Sequence, residues 1–340
     1  KHPGLFSSAK AFGGVADAIR MIPLAIDPPK HADYRRVLDP MFGPKRMEAM
    51  DADLRAQLRG HIDAFAPSGR CDVVADLSYK FPTQAILTLF GLPLEHLPQF
   101  LEWTYGIIKD REVGSLDAET ASPRVIECSI ALFGFLAEQL EIKRSHPGED
   151  MLSSILALDG DEAWSDEEIL GLCFLIVLAG LDTVTGAIGY SMLNLATNPE
   201  LRQRLIADQS LIAPFVEEVL RLDGPVPGVP RRTTQDVEVE GVLIPADSPV
   251  LLMLGTANRE VPSVAAAPNE MNLNAKPTHL GFGGGIHRCL GSHLARRELR
   301  LTIEEFHARI PEYRLAGEAH TLWPAGTLGL EALPLEFEPC

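Results

Sequence analysis

Paired cysteines are missing from this sequence. Its cysteines are five in number, an odd count, and no two of them form a C-x-x-C pair. They stand at Cys71, Cys128, Cys173, Cys289 and Cys340. This spacing argues against a disulfide framework and against a zinc-finger site. We expect Cys71, Cys128 and Cys173 to be inert buried side chains.

A membrane-spanning run and a targeting leader are also missing. No apolar run reaches the roughly 20 residues that a spanning helix needs. The longest candidate, Ile169–Gly180, ends just before Asp182 and is interpreted as a buried core helix. Lys1–Gly4 shows no signal-peptide pattern, so we expect a cytoplasmic protein without a membrane partner.

Basic residues are in short supply. Lys and Arg number 30 against 47 Asp and Glu, for a formal net charge of −17. Nucleic acid needs a basic face and an anionic membrane attracts one, so we expect neither as a partner. With 46% hydrophobic residues over 340 positions, the chain can bury a core large enough to enclose a cofactor.

Helical periodicity dominates the pattern that is present. The spacing of apolar residues predicts helices over residues 44–65, 130–145, 165–196, 198 onward, 212–222 and 292–310. Ser165 and Glu168 resemble a capping box at the start of the third of these. Alternation over 237–244 predicts a hairpin, and 328–337 a terminal strand. No linker divides the chain, so we predict one domain over residues 1–340, mainly α with small β-sheets.

The glycine-rich stretch Phe282–Gly291 is the most informative part of the sequence. Its three consecutive glycines permit close approach to a flat ligand. Cys289 precedes a predicted helix, whose N-terminal N–H groups favour a thiolate. A thiolate is an axial ligand that helps a haem iron cleave O–O bonds. The alternative of a phosphate-binding loop lacks both the G-x-G-x-x-G and the Walker patterns.

Two further groups of residues indicate a function only when they are considered together with the cysteine loop. Within the long apolar helix, Thr183 can bond the carbonyl of Ala179, and Gly180 opens space beside Asp182. By itself this pattern fits an ordinary helix kink equally well. Glu218 and Arg221 share one helix face and can form an ion pair, which alone indicates nothing.

Together these motifs resemble the cytochrome P450 family. Residues 282–291 match its haem-binding pattern F-G-x-G-x-H-x-C-x-G at every defined position. The resemblance implies a helical prism around haem b (iron protoporphyrin IX), with Cys289 as the iron ligand. It also implies cofactor contacts from Phe282, Gly283, His287, Gly291, Ala179, Gly180, His31, Arg35 and Arg231, the last three at the haem propionates.

The same resemblance assigns further roles. Asp182 and Thr183 would activate oxygen and relay protons. Glu218 and Arg221 would form the pair that supports the haem loop. The family normally adds an Arg before this loop, where Asn274, Ala275 and Lys276 stand here. That third partner is therefore missing or replaced by Lys276.

The camphor-hydroxylating class is the group that the sequence resembles most, although members usually carry several dozen residues ahead of this chain's start. Ile19 stands where that class has a tyrosine that bonds the camphor ketone, so camphor itself is not implied. By resemblance, the substrate pocket would include Ile19, Leu175, Leu178, Ala179, Pro227 and Val229. These apolar residues predict a small hydrophobic substrate such as a terpenoid or norisoprenoid, with fatty acids and steroids remaining open.

The implied reaction inserts one oxygen atom from O2 into a C–H bond. Electrons would come from a [2Fe–2S] ferredoxin with an NAD(P)H-dependent reductase. A docking patch would comprise Arg35, Arg288, Arg296 and Arg297. Two alternatives stay open: a haem-thiolate enzyme that uses peroxide or does not oxygenate, and a haem-binding sensor without turnover.

Overall fold

The computed structural model describes residues 2–9, 11, 20–109, 122–275, 278–322 and 327–340. Two residues singled out in the sequence, Ile19 and Lys276, lie outside these ranges. Helices run over Lys30–Met41, Pro44–Ala49, Asp51–Phe65, Lys80–Phe90, Leu97–Lys109, Pro123–Ser145, Met151–Leu156, Asp166–Thr197, Pro199–Ala207, Ile212–Leu222, Leu254–Ala257 and Ser292–Arg309.

Small antiparallel sheets complete the fold. The strands are β1 (Phe6–Ser7), β2 (Arg70–Asp72), β3 (Gly228–Thr233), β4 (Val237–Val239), β5 (Val242–Ile244), β6 (Pro249–Met253), β7 (Arg314–Leu315), β8 (His320–Leu322), β9 (Gly329–Ala332) and β10 (Pro334–Glu336). Their orders are β1-β3-β6, β2-β10-β7, β4-β5 and β8-β9. The predicted mainly helical class is confirmed.

The helix Asp166–Thr197, here called the central helix, occupies the core. Ser165 Oγ accepts from the Glu168 N–H, and the Glu168 side chain accepts from the Ser165 N–H, which confirms the capping box. By length and composition this helix is apolar enough to span a membrane, but 56% of its most apolar window is buried inside the protein. Since the core helix of a soluble protein has the same properties, the prediction of a core helix agrees with this packing.

Several helices and strands surround the central helix. It packs against Lys80–Phe90, Pro123–Ser145, Ile212–Leu222, Ser292–Arg309 and β9. Glu168 also accepts bonds from Lys30 Nζ at 2.9 Å and from the Tyr34 hydroxyl. The helix Lys30–Met41, which carries His31 and Arg35, is thereby fixed to the start of the central helix.

Two of the predicted helices differ from their predicted bounds by more than one residue. The predicted helix 44–65 is divided at Met50, whose N–H bonds Met47 O in a tight turn. The predicted helix 130–145 begins earlier, at Pro123, because Ser122 Oγ accepts the Val125 N–H and proline suits the first turn. Ile212–Leu222 begins and ends at the predicted residues.

Candidate functional site

The loop that carries Cys289 is held by its own backbone. The Cys289 N–H donates to Phe282 O at 2.9 Å, and the Gly283 N–H to Leu280 O at 2.8 Å. Gly283 and Gly285 have φ of 66° and 68°, a region that side chains with a Cβ rarely adopt. The glycines are therefore required by the path of the loop, which leaves Cys289 accessible.

Opposing influences act on the ionisation of the Cys289 thiol. Burial among protein atoms raises the pKa of Cys289, while the Gly291 N–H and the charges of Arg35 and Arg288 oppose that rise. For the protein groups by themselves, burial prevails, so the lowered pKa expected from the helix terminus is not found. A coordinated metal ion would lower the pKa of this thiol instead, because coordination deprotonates a thiol outright.

Two histidines far apart in the sequence meet beside this loop. The rings of His31 and His287 are 4.3 Å apart in an edge-to-face arrangement. Each has an Nε2 atom that is buried and has no hydrogen-bond partner among the described residues. Buried polar nitrogens usually have partners, so both histidines fit a site that binds an additional polar group.

Two arginines belong to the same cluster. Burial and, after it, the charges of the nearby His31, Arg231 and Arg35 together lower the pKa of His287 to about 4. Arg35 donates to Arg288 O at 2.9 Å, and Arg231 donates to its neighbour Pro230 O at 2.6 Å. Arg35 also pairs with Asp39. We call His31, Arg35, Arg231 and His287 the cationic cluster; its donors suit carboxylate groups such as haem propionates.

The central helix presents polar groups at one turn. Thr183 Oγ1 donates to Ala179 O at 2.6 Å, as the sequence predicted. Ala179 is exposed although Val177 and Leu181 beside it are buried. A Cβ on Gly180 would lie 3.1 Å from Ile86 Cδ1, so this glycine also serves packing.

Asp182 has a partner that sequence reasoning missed. Thr327 Oγ1, from the segment before β9, donates to Asp182 Oδ2. Both residues are half-buried. Nothing in the sequence around Thr327 pointed to this contact, since 145 positions separate the two residues.

Glu218 and Arg221 form a bidentate pair at 2.7 and 2.9 Å, and both side chains are fully buried. Arg221 also donates to Pro268 O at 2.7 Å and Glu270 O at 2.8 Å. Glu218 Oε2 accepts the Asn272 N–H at 2.8 Å. Backbone groups of residues 268–272 therefore occupy hydrogen-bonding positions around the pair, whatever Lys276 does.

A second network, also missed, lies next to the first. Glu217 accepts two bonds from Arg296, at 2.6 and 2.8 Å, and contacts His279 Nε2 at 2.9 Å. Burial alone would raise the pKa of Glu217, but the bonds from Arg296 and His279 lower it to about 2. The Arg296 guanidinium stacks 4.4 Å from the Phe282 ring centre, which joins this network to the cysteine loop.

The arginines predicted to form a docking patch lie near one another, but most have partners. Burial lowers the pKa of His293, and Arg296, Arg288 and Arg297 add to the decrease, which places all three near this histidine. Arg296 is paired with Glu217, and Arg297 with Asp51 at 3.1 Å. Arg288 is exposed and is the member best placed to meet a partner.

The residues predicted to line a substrate pocket differ in exposure. Leu178, Pro227 and Val229 are half-buried. Leu175 is only 9% exposed and belongs to the core, so it offers little surface to a ligand. Further apolar surface comes from Leu251, Leu252 and Met253 of β6, which pairs with β3.

The observed groups fit a flat, doubly anionic ligand that contains a metal ion. An accessible cysteine stands in a glycine-rich loop, and accessible apolar surface is present at Ala179. The cationic cluster lies beside this loop and contains two imidazole nitrogens without a hydrogen-bond partner in the described part of the chain. Haem b combines an iron, an apolar macrocycle and two carboxylates. The described residues therefore suit haem b.

Comparison with known proteins gives the family. Residues 134–307 match the family model for cytochrome P450. Vitamin D(3) 25-hydroxylase of Pseudonocardia autotrophica is 33% identical over 93% of this chain and 78% of its own length. The cytochrome P450 monooxygenase PikC of Streptomyces venezuelae is 31% identical over 92% of this chain and 75% of its own.

Solved structures agree. CYP109E1 from Bacillus megaterium, crystallised in complex with testosterone, has a TM-score of 0.86 at 27% identity and covers 99% of this chain and 89% of its own. The resemblance stated from the motifs is thus confirmed. The chain belongs to the cytochrome P450 family and is a haem b monooxygenase.

Proposed function

We propose that this monooxygenase holds its haem through Cys289 and oxidises a compact hydrophobic substrate with electrons from a [2Fe–2S] ferredoxin. The observation that carries the proposal is the meeting of the Cys289 loop with the cationic cluster, whose members come from three separate parts of the sequence. Bound haem supplies the oxygen-activating redox chemistry that side chains lack.

The protein groups then have defined tasks. Cys289 is the proposed iron ligand, with Phe282, Gly283 and Gly291 shaping its loop. The cationic cluster binds the propionates. Ala179 and Gly180 leave room on the central helix, and the Thr183 hydroxyl and the Asp182 carboxylate hold and transfer protons there. These tasks agree with the accessible Ala179 and the half-buried positions of Asp182 and Thr183.

A terpenoid or norisoprenoid skeleton is the proposed substrate class. Leu178, Pro227 and Val229 supply partly exposed apolar surface without a charged group, which suits a ligand recognised mainly by shape. Relatives are named for vitamin D(3) and crystallised with testosterone, both hydrophobic ring compounds. Another structural neighbour, P450BioI, was crystallised with an acyl carrier protein that carries hexadec-9Z-enoic acid, so these names support a hydrophobic substrate in general.

Spectral titration tests the substrate class. We expect cyclic norisoprenoids and bicyclic terpenoids to shift the ferric haem from low to high spin, because an apolar ligand displaces water near the iron. The matched probes are a steroid and a long-chain fatty acid at equal concentrations. A shift with only the fatty acid, or only the steroid, would contradict a compact cyclic substrate.

The positive charge beside the Cys289 loop is the basis for proposing a ferredoxin as the electron donor. Arg288, with Arg296 and Arg297 around His293, provides positive charge beside the Cys289 loop of a protein that is otherwise acidic. Such a field steers an acidic partner and raises its association rate. Because Arg296 and Arg297 are paired with carboxylates, Arg288 carries most of the predicted effect.

Charge reversal at Arg288 tests this donor. We expect Arg288→Glu to slow reduction by a [2Fe–2S] ferredoxin about tenfold at low salt and to weaken the salt dependence of the rate. The measurement is stopped-flow reduction under carbon monoxide, with dithionite reduction as an internal reference. The control is Arg70→Glu on β2, an exposed arginine outside this group. Equal slowing in both variants would reject a specific dock at Arg288.

A further inference from the structure

The segment from Thr327 to Leu330 lies directly against one face of the central helix. A Cβ on Gly186 would come within 2.5 Å of Leu328 O, and one on Gly189 within 3.2 Å of Leu330 Cδ1. The Leu328 N–H also donates to Pro225 O at 2.7 Å. The segment is therefore fixed between the helix and the chain that leads into β3.

Asp182 belongs to that same helix face. Residues 182, 186 and 189 are separated by four and three positions, the spacing that places side chains in one row along a helix. The two glycines let the Thr327–Leu330 backbone approach, and the segment brings the Thr327 hydroxyl to Asp182 Oδ2. The hydrogen bond between Thr327 and Asp182 therefore results from the packing of the Thr327–Leu330 segment against the central helix.

We propose that Thr327 is a positioning residue that sets the orientation of the Asp182 carboxylate. This inference rests on the proposed role of Asp182 in proton transfer. The hydroxyl donates to Oδ2 and leaves Oδ1 available to exchange protons. A hydroxyl is a neutral partner, so the carboxylate is oriented without an opposite charge that would hold it in place.

The surroundings of Asp182 support an oriented carboxylate. Burial raises the pKa of Tyr79, and the negative charge of Asp182 adds to the increase, which places this tyrosine near the carboxylate. Tyr79 therefore stays neutral at ordinary pH and adds no charge beside Asp182. Thr185 lies on the next turn of the helix, and its hydroxyl donates to Ser78 O at 2.8 Å and not to Asp182.

Loss of the Thr327 hydroxyl tests the inference. Thr327→Val removes the donor and keeps the shape, whereas Thr327→Ser keeps the donor. We expect T327V to lower product formed per NADH several-fold and to change the solvent isotope effect on O2 uptake, with T327S near the parent. The dissociation constant of a spin-shifting ligand should change less than twofold in both, because the effect acts through Asp182.

A double-variant cycle separates this inference from the proposed function. If Asp182→Asn reduces coupling and T327V adds nothing to it, Thr327 acts through Asp182. Two results would overturn the positioning role and leave the role of Asp182 intact. One is a further full loss of coupling when T327V is added to D182N. The other is normal coupling in T327V when D182N is uncoupled. An unaffected D182N overturns both.

One readout does not depend on turnover. A crystal structure of T327V should show the Asp182 carboxylate rotated from its position in T327S; an unchanged carboxylate would reject the proposal. Gly186→Ala should reproduce the uncoupling of T327V, because its Cβ would displace the Leu328 backbone. The matched Gly189→Ala would contact the Leu330 side chain and not its backbone, so it should stay near the parent.

Discussion

Replacing Cys289 with Ser is expected to abolish monooxygenation and to remove the strongly red-shifted Soret band of the reduced carbon monoxide complex. That band requires a thiolate on the iron, and serine supplies a hydroxyl of much higher pKa that stays protonated. The thiolate also contributes the electron density that favours O–O cleavage. Activity should therefore fall to the level of haem without an enzyme.

The sequence contains a matched control for this variant. Cys340 is the other exposed cysteine, and its Sγ lies 3.3 Å from Arg309 O, near the end of the chain. Cys340→Ser should keep both the band and the activity. Retention of the red-shifted band in C289S would show that another group binds the iron, and a protein without any haem spectrum would refute the cofactor site.

Removal of the Arg221 side chain is expected to have the largest effect on stability. Arg221→Ala leaves Glu218 buried without its partner and leaves the carbonyls of Pro268 and Glu270 without a donor. Breaking a buried ion pair from one side costs about 3–5 kcal/mol in the free energy of unfolding. We expect the urea midpoint of the holoprotein to fall and haem to be lost at lower denaturant.

Two further variants show which interaction matters. Arg221→Lys keeps the charge but cannot bond Glu218 in a bidentate way and reach two carbonyls, so it should recover only part of the stability. Arg204→Ala, an exposed position on Pro199–Ala207, should change the free energy of unfolding by less than about 0.5 kcal/mol. A midpoint for R221A equal to that of R204A would disprove the structural role.

Part of the helical pattern and the chemistry-bearing loop could be predicted because their determinants are local. The capping box at Ser165 and Glu168 specifies where the central helix begins, and the spacing of Thr183 and Ala179 specifies their bond. The division of helix 44–65 at Met50 was not predicted, because the apolar spacing continues across it unchanged.

Contacts between distant segments could not be read from the sequence. The Thr327–Asp182 bond depends on how closely a strand approaches Gly186, and Glu217 binds Arg296 only after two helices pack together. The same packing pairs Arg296 with Glu217, although the sequence predicts Arg296 as part of a docking patch. Residue type and spacing identify such groups, but only the tertiary arrangement shows which of them are already occupied.

The cationic cluster links cofactor supply to folding yield. Assembling Arg35 and Arg231 beside His31 and His287 is unfavourable in a folded chain, because burial and the neighbouring positive charges disfavour the charged form of both histidines and lower their pKa values. A dianionic ligand that binds only the native arrangement relieves this repulsion, so its binding free energy adds to folding stability by mass action. Cells that make this protein faster than they make haem would therefore accumulate a less stable polypeptide, exposed to proteolysis in proportion to the shortfall.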